Sequence, residues 1–499
     1  MPGPSFESGR ARGRTMSVTD ADNTADRRPQ AADYVVTGTV VTSDPERRVF
    51  RDGAVAVEGS RIVAVGPRTE VEAAHSGPRL GGPRDLVIPG LIDSHNHMAQ
   101  ALVRGMALED LPNITRVYIP AEDVLGDDGI RTSARVTMAN LLRAGVTTTT
   151  DTTCTAEHED AVGETALETG IRCALAVGQR DRTSRLASNY EQIEGRSEYQ
   201  DDPAMRADNI AHLEDFLTRW SQRGGGLVRP FIHAPSVPSV SDEMFMAARE
   251  LAERHDTVMM THINRDREEI ELCVSLFGRR PFEHLSHIGA LGPRFLAIHA
   301  MLTTAREIRL LAEAGAKLTH APVVCTDIVS AVTDIVGMRA AGVTVGLGCD
   351  TVINDILAVM RIAFFMQAQS AGIPMYDPIG FTTEDAFDMA TIDGATALMW
   401  DGEIGSLEVG KAADIAVIDG ENPRLSPRHN PVGSIVRYAV GTDVRSVLVD
   451  GRLVVDGGKV LTIDEDSLLK EAEELADRVR EDLLPRRYWP LNQRYRVIG

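Results

Sequence analysis

Seven side chains draw attention by where they stand: His95, His97, His233, His262, His299, His320 and Asp350 each close or follow a short apolar run. Imidazoles and a carboxylate together suit a divalent ion such as zinc or iron. His95 and His97 are two residues apart, so on an extended chain their side chains share one face and can point to one centre. A His-x-His pair alone is weak evidence for a metal. With His262, His299 and Asp350 at three further run ends, a metal site becomes the reading that accounts for all of them.

The runs themselves must position these groups. Apolar stretches of strand length recur at residues 86–93, 146–152, 172–178, 227–234, 257–264, 295–300, 316–321 and 343–350, each followed by a helical pattern. Continuous apolar strands alternating with helices are the mark of a parallel sheet buried on both faces, and eight of them predict a (β/α)8 TIM barrel. In such barrels the reactive side chains gather where the strands end. Different patterns flank this region. Residues 34–42, 54–57 and 61–65 near one end, and 414–418, 444–449 and 453–455 near the other, read as short strands, with Gly59-Ser60 and Asp450-Gly451 as hairpin turns. The expected fold class is therefore α/β: a TIM barrel over residues 89–402 with a small β-sandwich domain built from both chain ends, 34–88 and 403–462. Residues 1–33 are expected to be disordered, and 463–499 to form a C-terminal helix and tail. Met16 is an alternative start to Met1.

Composition narrows the partners. The 499 residues carry a formal charge of −21, which argues against nucleic-acid and anionic-membrane binding, because phosphate contacts need clustered cations. No run of 18 apolar residues predicts a membrane span. Five scattered cysteines without a Cys-x-x-Cys pair fit reduced thiols and a cytoplasmic location. A small-molecule substrate and a homo-oligomeric assembly are the remaining expectations.

The stretch Val87-Ile88-Pro89-Gly90-Leu91-Ile92-Asp93-Ser94-His95-Asn96-His97 resembles the first-strand signature of the amidohydrolase superfamily. Gly405 to Asp414 resembles the segment where those chains leave the barrel for the β-sandwich. Leu291-Gly292-Pro293 ahead of His299, and Gly346-Leu347-Gly348 ahead of Asp350, are similar to the cytosine deaminase and chlorohydrolase branch. The resemblance implies that His95, His97, His262 and Asp350 hold one metal ion, that His299 faces the attacking water or the substrate, and that His233 touches substrate, with His320 in the pocket wall. Zinc is the first choice, with Fe, Mn or Co as alternatives. Such an ion lowers the pKa of its water to about 7, Asp350 takes the proton, and His299 polarises the bond under attack. Two-metal members bridge their ions with a carboxylated lysine. This chain has no lysine between His97 and His262, so one ion is expected.

One position departs from the pattern. Deaminases of the branch carry His-x-x-Glu at the fifth strand, whereas here the run is His262-Ile263-Asn264-Arg265. Arginine stays protonated and cannot cycle as an acid and base. It either binds substrate, stabilising a developing anion, or turns into a salt bridge with Asp266, Glu268 or Glu269; one of the two glutamates could also replace the missing acid. The expected reaction is hydrolysis of a non-peptide carbon–nitrogen bond whose leaving group needs little proton help, as in a urea, carbamate or anilide. Deamination or dechlorination of an N-heterocycle is the alternative, and a non-catalytic barrel scaffold a more remote one.

Overall fold

The computed structural model describes residues 29–106, 117–152, 158–184, 199–326 and 331–483. Eight parallel strands, Leu91–Ile92, Val146–Thr152, Arg172–Gly178, Val228–Ala234, Met259–Ile263, Phe295–His299, Lys317–His320 and Val345–Leu347, lie side by side in chain order. The first and last are stitched together by Ser94 N–H to Leu347 O (2.8 Å) and Asp350 N–H to His95 O (2.9 Å), which closes the sheet into the expected barrel. Alternate residues divide between two layers. Ala174, Ala176, Phe231, Met260, Leu296 and Ile298 pack in one cluster with Trp400 inside the barrel. Cys173, Leu175, Phe295, Ala297, Leu318 and Leu347 belong to the layer under the surrounding helices. Burial on both faces is why the strands read as unbroken apolar runs.

The first strand differs from expectation. Residues 86–93 do not form one barrel strand: Arg79–Pro89 belongs to the small domain's sheet, and the barrel begins at Leu91–Ile92. The crossing falls at Gly90, where a Cβ would sit 2.1 Å from Thr147 Oγ1, so only glycine lets the two sheets approach this closely.

The second sheet has the order Arg61–Pro67, Val49–Glu58, Tyr34–Val41, Arg79–Pro89, Ile415–Ile418, Val444–Val449, Arg452–Asp456, Lys459–Val460. The two chain ends meet where Arg79–Pro89 pairs antiparallel with Ile415–Ile418. Asp450 and Gly451 both adopt positive φ (50° and 76°), the geometry of the hairpin turn read from their sequence. Residues 1–28 lie outside the described residues. Within the segment expected to be disordered, residues 29–33 are ordered: Gln30–Ala31 pairs in parallel with His75–Ser76, and Ala32 is buried beside Val71.

A buried ion pair fastens the barrel to this sheet. Arg172, at the start of the third barrel strand, donates through Nε and Nη2 to both carboxylate oxygens of Asp414 (2.8 and 3.2 Å) and through Nη2 to Asp450 (2.6 Å). The stretch Ile356–Met375 is long and apolar enough to cross a bilayer by length and composition. Ile356, Leu357, Val359, Met360 and Ala363 are nevertheless buried in the outer layer of the barrel, the position of a core helix. Glu465–Leu483 forms the expected terminal helix, burying Leu468, Val479 and Leu483.

Candidate active site and metal centre

Three strands aim their histidines by different means. In Val228–Ala234 and Met259–Ile263, Phe231 and Met260 face the interior, and period-two alternation carries His233 and His262 to the same face. In Phe295–His299 the alternation works against the site: His299 shares parity with Phe295 and Ala297, which face outward. A φ of +75° at His299 breaks the alternation and turns the ring inward. Asp350 (φ +55°) and Asn264 (φ +50°) also hold this sparsely populated conformation at strand ends. Such backbone strain costs on the order of 1–3 kcal/mol per residue and collects at functional sites.

The donor atoms converge. One nitrogen each of His95, His97 and His262 lie within 4.8 Å of one another, as do donor atoms of His95, His299 and Asp350. Asp350 Oδ2 is 3.2 Å from His95 Nε2 and 3.7 Å from His299 Nε2, and its Oδ1 is 3.9 Å from His97 Nε2. Ligands about 2.1 Å from a tetrahedral ion stand ~3.4 Å apart, so these separations are those of atoms arranged around one ion. Burial holds His97 (down to about 4), His262 and His299 in the neutral form that can offer a lone pair. Burial opposes ionisation of Asp350, but the surrounding His95, His97 and His299 override it and keep the carboxylate charged. Lys317 opens its strand at the opposite end of the barrel and donates to Pro293 O, so it cannot bridge ions at this centre.

The rings are held from behind. Thr152 Oγ1 lies 3.4 Å from His95 Nδ1 and 3.3 Å from His97 Nδ1, and donates its own hydrogen to Asn96 O at 3.1 Å. With that hydrogen committed, the hydroxyl can only accept from the two rings. Both Nδ1 atoms must carry the proton, leaving both Nε2 lone pairs for an ion. His233 Nε2 engages His262 Nδ1 at 2.9 Å and orients the third ring in the same manner. Asp93 accepts from Asn96, from Thr149 and from the Cys349 N–H, tying strand one to the turn that carries Asp350. Partners of this kind tune metal affinity 10–100-fold. Thr152→Val is thus expected to weaken zinc binding by about that factor, with Thr152→Ser close to wild type, as read by chelator competition.

The remaining expected residues divide. Arg265 pairs with Asp266 (2.6 Å) and donates its backbone N–H to Glu269 (2.9 Å), one of the salt-bridge arrangements foreseen from sequence. His320 shares the outward parity of Leu318, while Thr319 faces Ser94. Neither His320 nitrogen has a partner among the described residues, and the ring does not join the metal group. Residues 107–116, Cys154 and residues 185–198 lie outside the described residues.

Sequence reasoning missed Thr152, the support role of His233, and Glu122. Glu122 Oε1 accepts from Gln100 (2.8 Å), its Oε2 is buried without a partner among the described residues, and burial raises its carboxyl to about 7. Nothing in its local sequence marks it. Glu269 is likewise buried, which pushes its carboxyl up to about 8 from 4.5. The unfolded chain therefore releases this proton first, so the neutral glutamic acid stabilises the fold at low pH and that contribution is lost as pH rises from about 4.5 to 8. Glu269→Gln, which keeps the acceptor for Arg265, is expected to flatten that decline by roughly 1.4 kcal/mol per pH unit across the window, measured by denaturant unfolding.

Comparison with known proteins agrees with this geometry. The model of the amidohydrolase family matches residues 86–454, and that of a bacterial imidazolonepropionase-like composite domain matches residues 53–75. A 5-methylthioadenosine/S-adenosylhomocysteine deaminase of Syntrophobacter fumaroxidans is 30% identical over 89% of this chain and 98% of its own length. A 5'-deoxyadenosine deaminase of Methanopyrus kandleri is 29% identical over 89% of this chain and 98% of its own. Among solved structures, a zinc-bound adenosine deaminase of Xanthomonas campestris superposes with a TM-score of 0.81 at 24% identity, covering 91% of this chain and all of that one. With its barrel, its converging imidazoles and a family match spanning most of its length, the chain belongs to the amidohydrolase family, enzymes that hydrolyse carbon–nitrogen bonds other than peptide bonds.

Proposed function

We propose that the protein is a mononuclear metal-dependent aminohydrolase that removes an amino group, as ammonia, from an aminated N-heterocycle. The observation that carries this reading is the full donor set, His95, His97, His262 and Asp350 with His299 beside it, in a chain whose relatives, matched over 98% of their own length, carry deaminase names. Three nitrogens and one carboxylate at these separations suit zinc. Bound there, the ion supplies hydroxide at neutral pH and polarises the bond under attack. Asp350 accepts the proton of the attacking water on a carboxylate oxygen and passes it toward the departing amine. Neutral His299 hydrogen-bonds the group that gains charge, while Thr152 and His233 keep the ligand rings in the tautomers the ion needs.

Arg265 favours a second reading. A permanent cation three residues after His262 stabilises an anion rather than delivering a proton, which suits a urea, carbamate or anilide. Zinc-reconstituted protein, assayed for ammonia from 5'-methylthioadenosine, S-adenosylhomocysteine, 5'-deoxyadenosine, guanine and cytosine, and for aniline from phenylureas and phenylcarbamates, separates the two. Ammonia from the nucleosides and bases supports the first reading; aniline from the phenylureas and phenylcarbamates, with no ammonia from the nucleosides and bases, replaces it by the second.

A further inference from the structure

His299 differs from the other rings of the centre in how it is held. The Nδ1 atoms of His95 and His97 meet Thr152, and that of His262 meets His233. His299 Nδ1 is buried with no hydrogen-bond partner among the described residues, while its Nε2 stands 3.7 Å from Asp350 Oδ2. With no group gripping the ring from behind, its aim is set by the backbone that carries it. That backbone is strained. His299 and Ala300 adopt positive φ in succession (75° and 50°), a region that residues with a side chain rarely occupy.

The peptide between these two residues is pinned at both ends. Its N–H, on Ala300, donates to Ile263 O at 3.1 Å, and its carbonyl, on His299, accepts from Thr333 Oγ1 at 3.1 Å. The first bond continues the pairing of His299 with Ile263 on the neighbouring strand. The second comes from elsewhere: Thr333 lies in the connection after the seventh strand, 34 residues further along the chain, and is fully buried. Gln367 Nε2, at the end of the helix Ile356–Gln367, donates to the Thr333 carbonyl at 3.0 Å, and the Ile335 N–H donates to it at 2.9 Å. With its hydrogen given to His299, the hydroxyl can only accept from the Cys325 thiol 3.8 Å away. Stripping a buried carbonyl of its donor costs about as much as backbone strain of this kind stores. Without the hydroxyl the positive φ at His299 loses its compensation, and the outward parity shared with Phe295 and Ala297 draws the ring away from the centre.

We propose that Thr333 is a positioning residue for the reaction at this centre: its hydroxyl holds the His299 peptide in the conformation that turns the ring toward Asp350. This role rests on the one given to His299 under the proposed function and holds for either of its leaving groups.

The test compares wild type, Thr333→Val and Thr333→Ser as full-length zinc-loaded proteins. Valine keeps the branched shape and removes the donor. Thr333→Val is expected to lower kcat by about 10–100-fold, with KM within about threefold of wild type and zinc content unchanged. Thr333→Ser, which keeps the hydroxyl, should recover most of that loss. Rates are read as ammonia from nucleosides and bases or as aniline from phenylureas and phenylcarbamates, whichever wild type releases; aniline alone removes the deaminase reading and leaves Thr333 in its role. A crystal structure of each protein gives a readout that needs no turnover. In Thr333→Val, His299 should leave the positive-φ region and its ring withdraw from Asp350, with His95, His97 and His262 in place. An unmoved His299 overturns the proposal. So does a kcat for Thr333→Val within about threefold of wild type, a loss that Thr333→Ser shares in full, or a loss accounted for by missing zinc. Where wild type releases neither product, the crystal structures decide alone. Thermal unfolding checks each fold, and Thr333→Ala, which introduces no bulk, replaces Thr333→Val with the same outcomes if the valine variant does not fold.

Discussion

Asp350→Asn is expected to lower kcat by about 10²–10⁴-fold while the protein remains folded. The asparagine keeps the shape of the side chain and can still accept the Thr351 N–H that Asp350 Oδ1 holds at 2.7 Å, so the strained turn at φ +55° retains its clamp. What it loses is the charge and the basicity. Among the described residues, Asp350 is the only carboxylate whose oxygens approach His95, His97 and His299 together, at 3.2, 3.9 and 3.7 Å. No other group among the described residues is placed to take the water's proton in its stead. Activity measured beside zinc content separates the two contributions. A variant that retains one equivalent of zinc and loses turnover assigns the deficit to proton transfer, whereas one that loses the ion assigns it to ligation. A kcat within threefold of wild type would remove Asp350 from the chemistry.

Arg172→Ala is expected to destabilise the protein by about 3–5 kcal/mol, the cost of leaving the buried Asp414 without its counter-ion. Asp414 is buried with its two oxygens directed at one guanidinium, and Asp450 adds a third contact. Because Asp414 precedes Ile415–Ile418 and Asp450 sits in the hairpin turn, the pair locks the third barrel strand to the returning sheet. Denaturant unfolding should show the lowered midpoint. Arg172→Met should recover little, since an apolar side chain does not neutralise Asp414, while replacing Arg172 and Asp414 together by Met and Leu should restore much of the loss. Equal stability of Arg172→Ala and wild type would mean that the two sheets are held by apolar contact alone.

Much of this was legible in the sequence because its signals are local. Continuous apolar runs report burial on both faces, and a histidine or aspartate just beyond such a run reports the C-terminal mouth of a parallel barrel. Six histidines and one aspartate were placed at strand ends on that ground, and four of the histidines with Asp350 converge on a single centre. Asp450-Gly451 marked its hairpin because its backbone geometry suits few other residue pairs. Where the first strand begins was not legible. Residues 86–93 are apolar throughout, and only the contact between Gly90 and Thr147 shows that the run changes sheets midway.

The sequence by itself determined the chemical inventory: imidazoles and a carboxylate for one ion, no lysine placed to bridge a second, and an arginine where a proton donor is expected. These follow from residue type and from position along a strand, which the chain carries without folding. The tertiary structure alone decided how the inventory is oriented. It brought Thr152 behind two rings from a neighbouring strand, set His233 against His262, turned His299 inward against its strand parity, and buried Glu122. It also left His320 on the outward face. The physical reason is that ring tautomer, burial and charge depend on contacts between strands far apart in the chain, and no local pattern records which hydroxyl or carboxyl will stand behind a given ring.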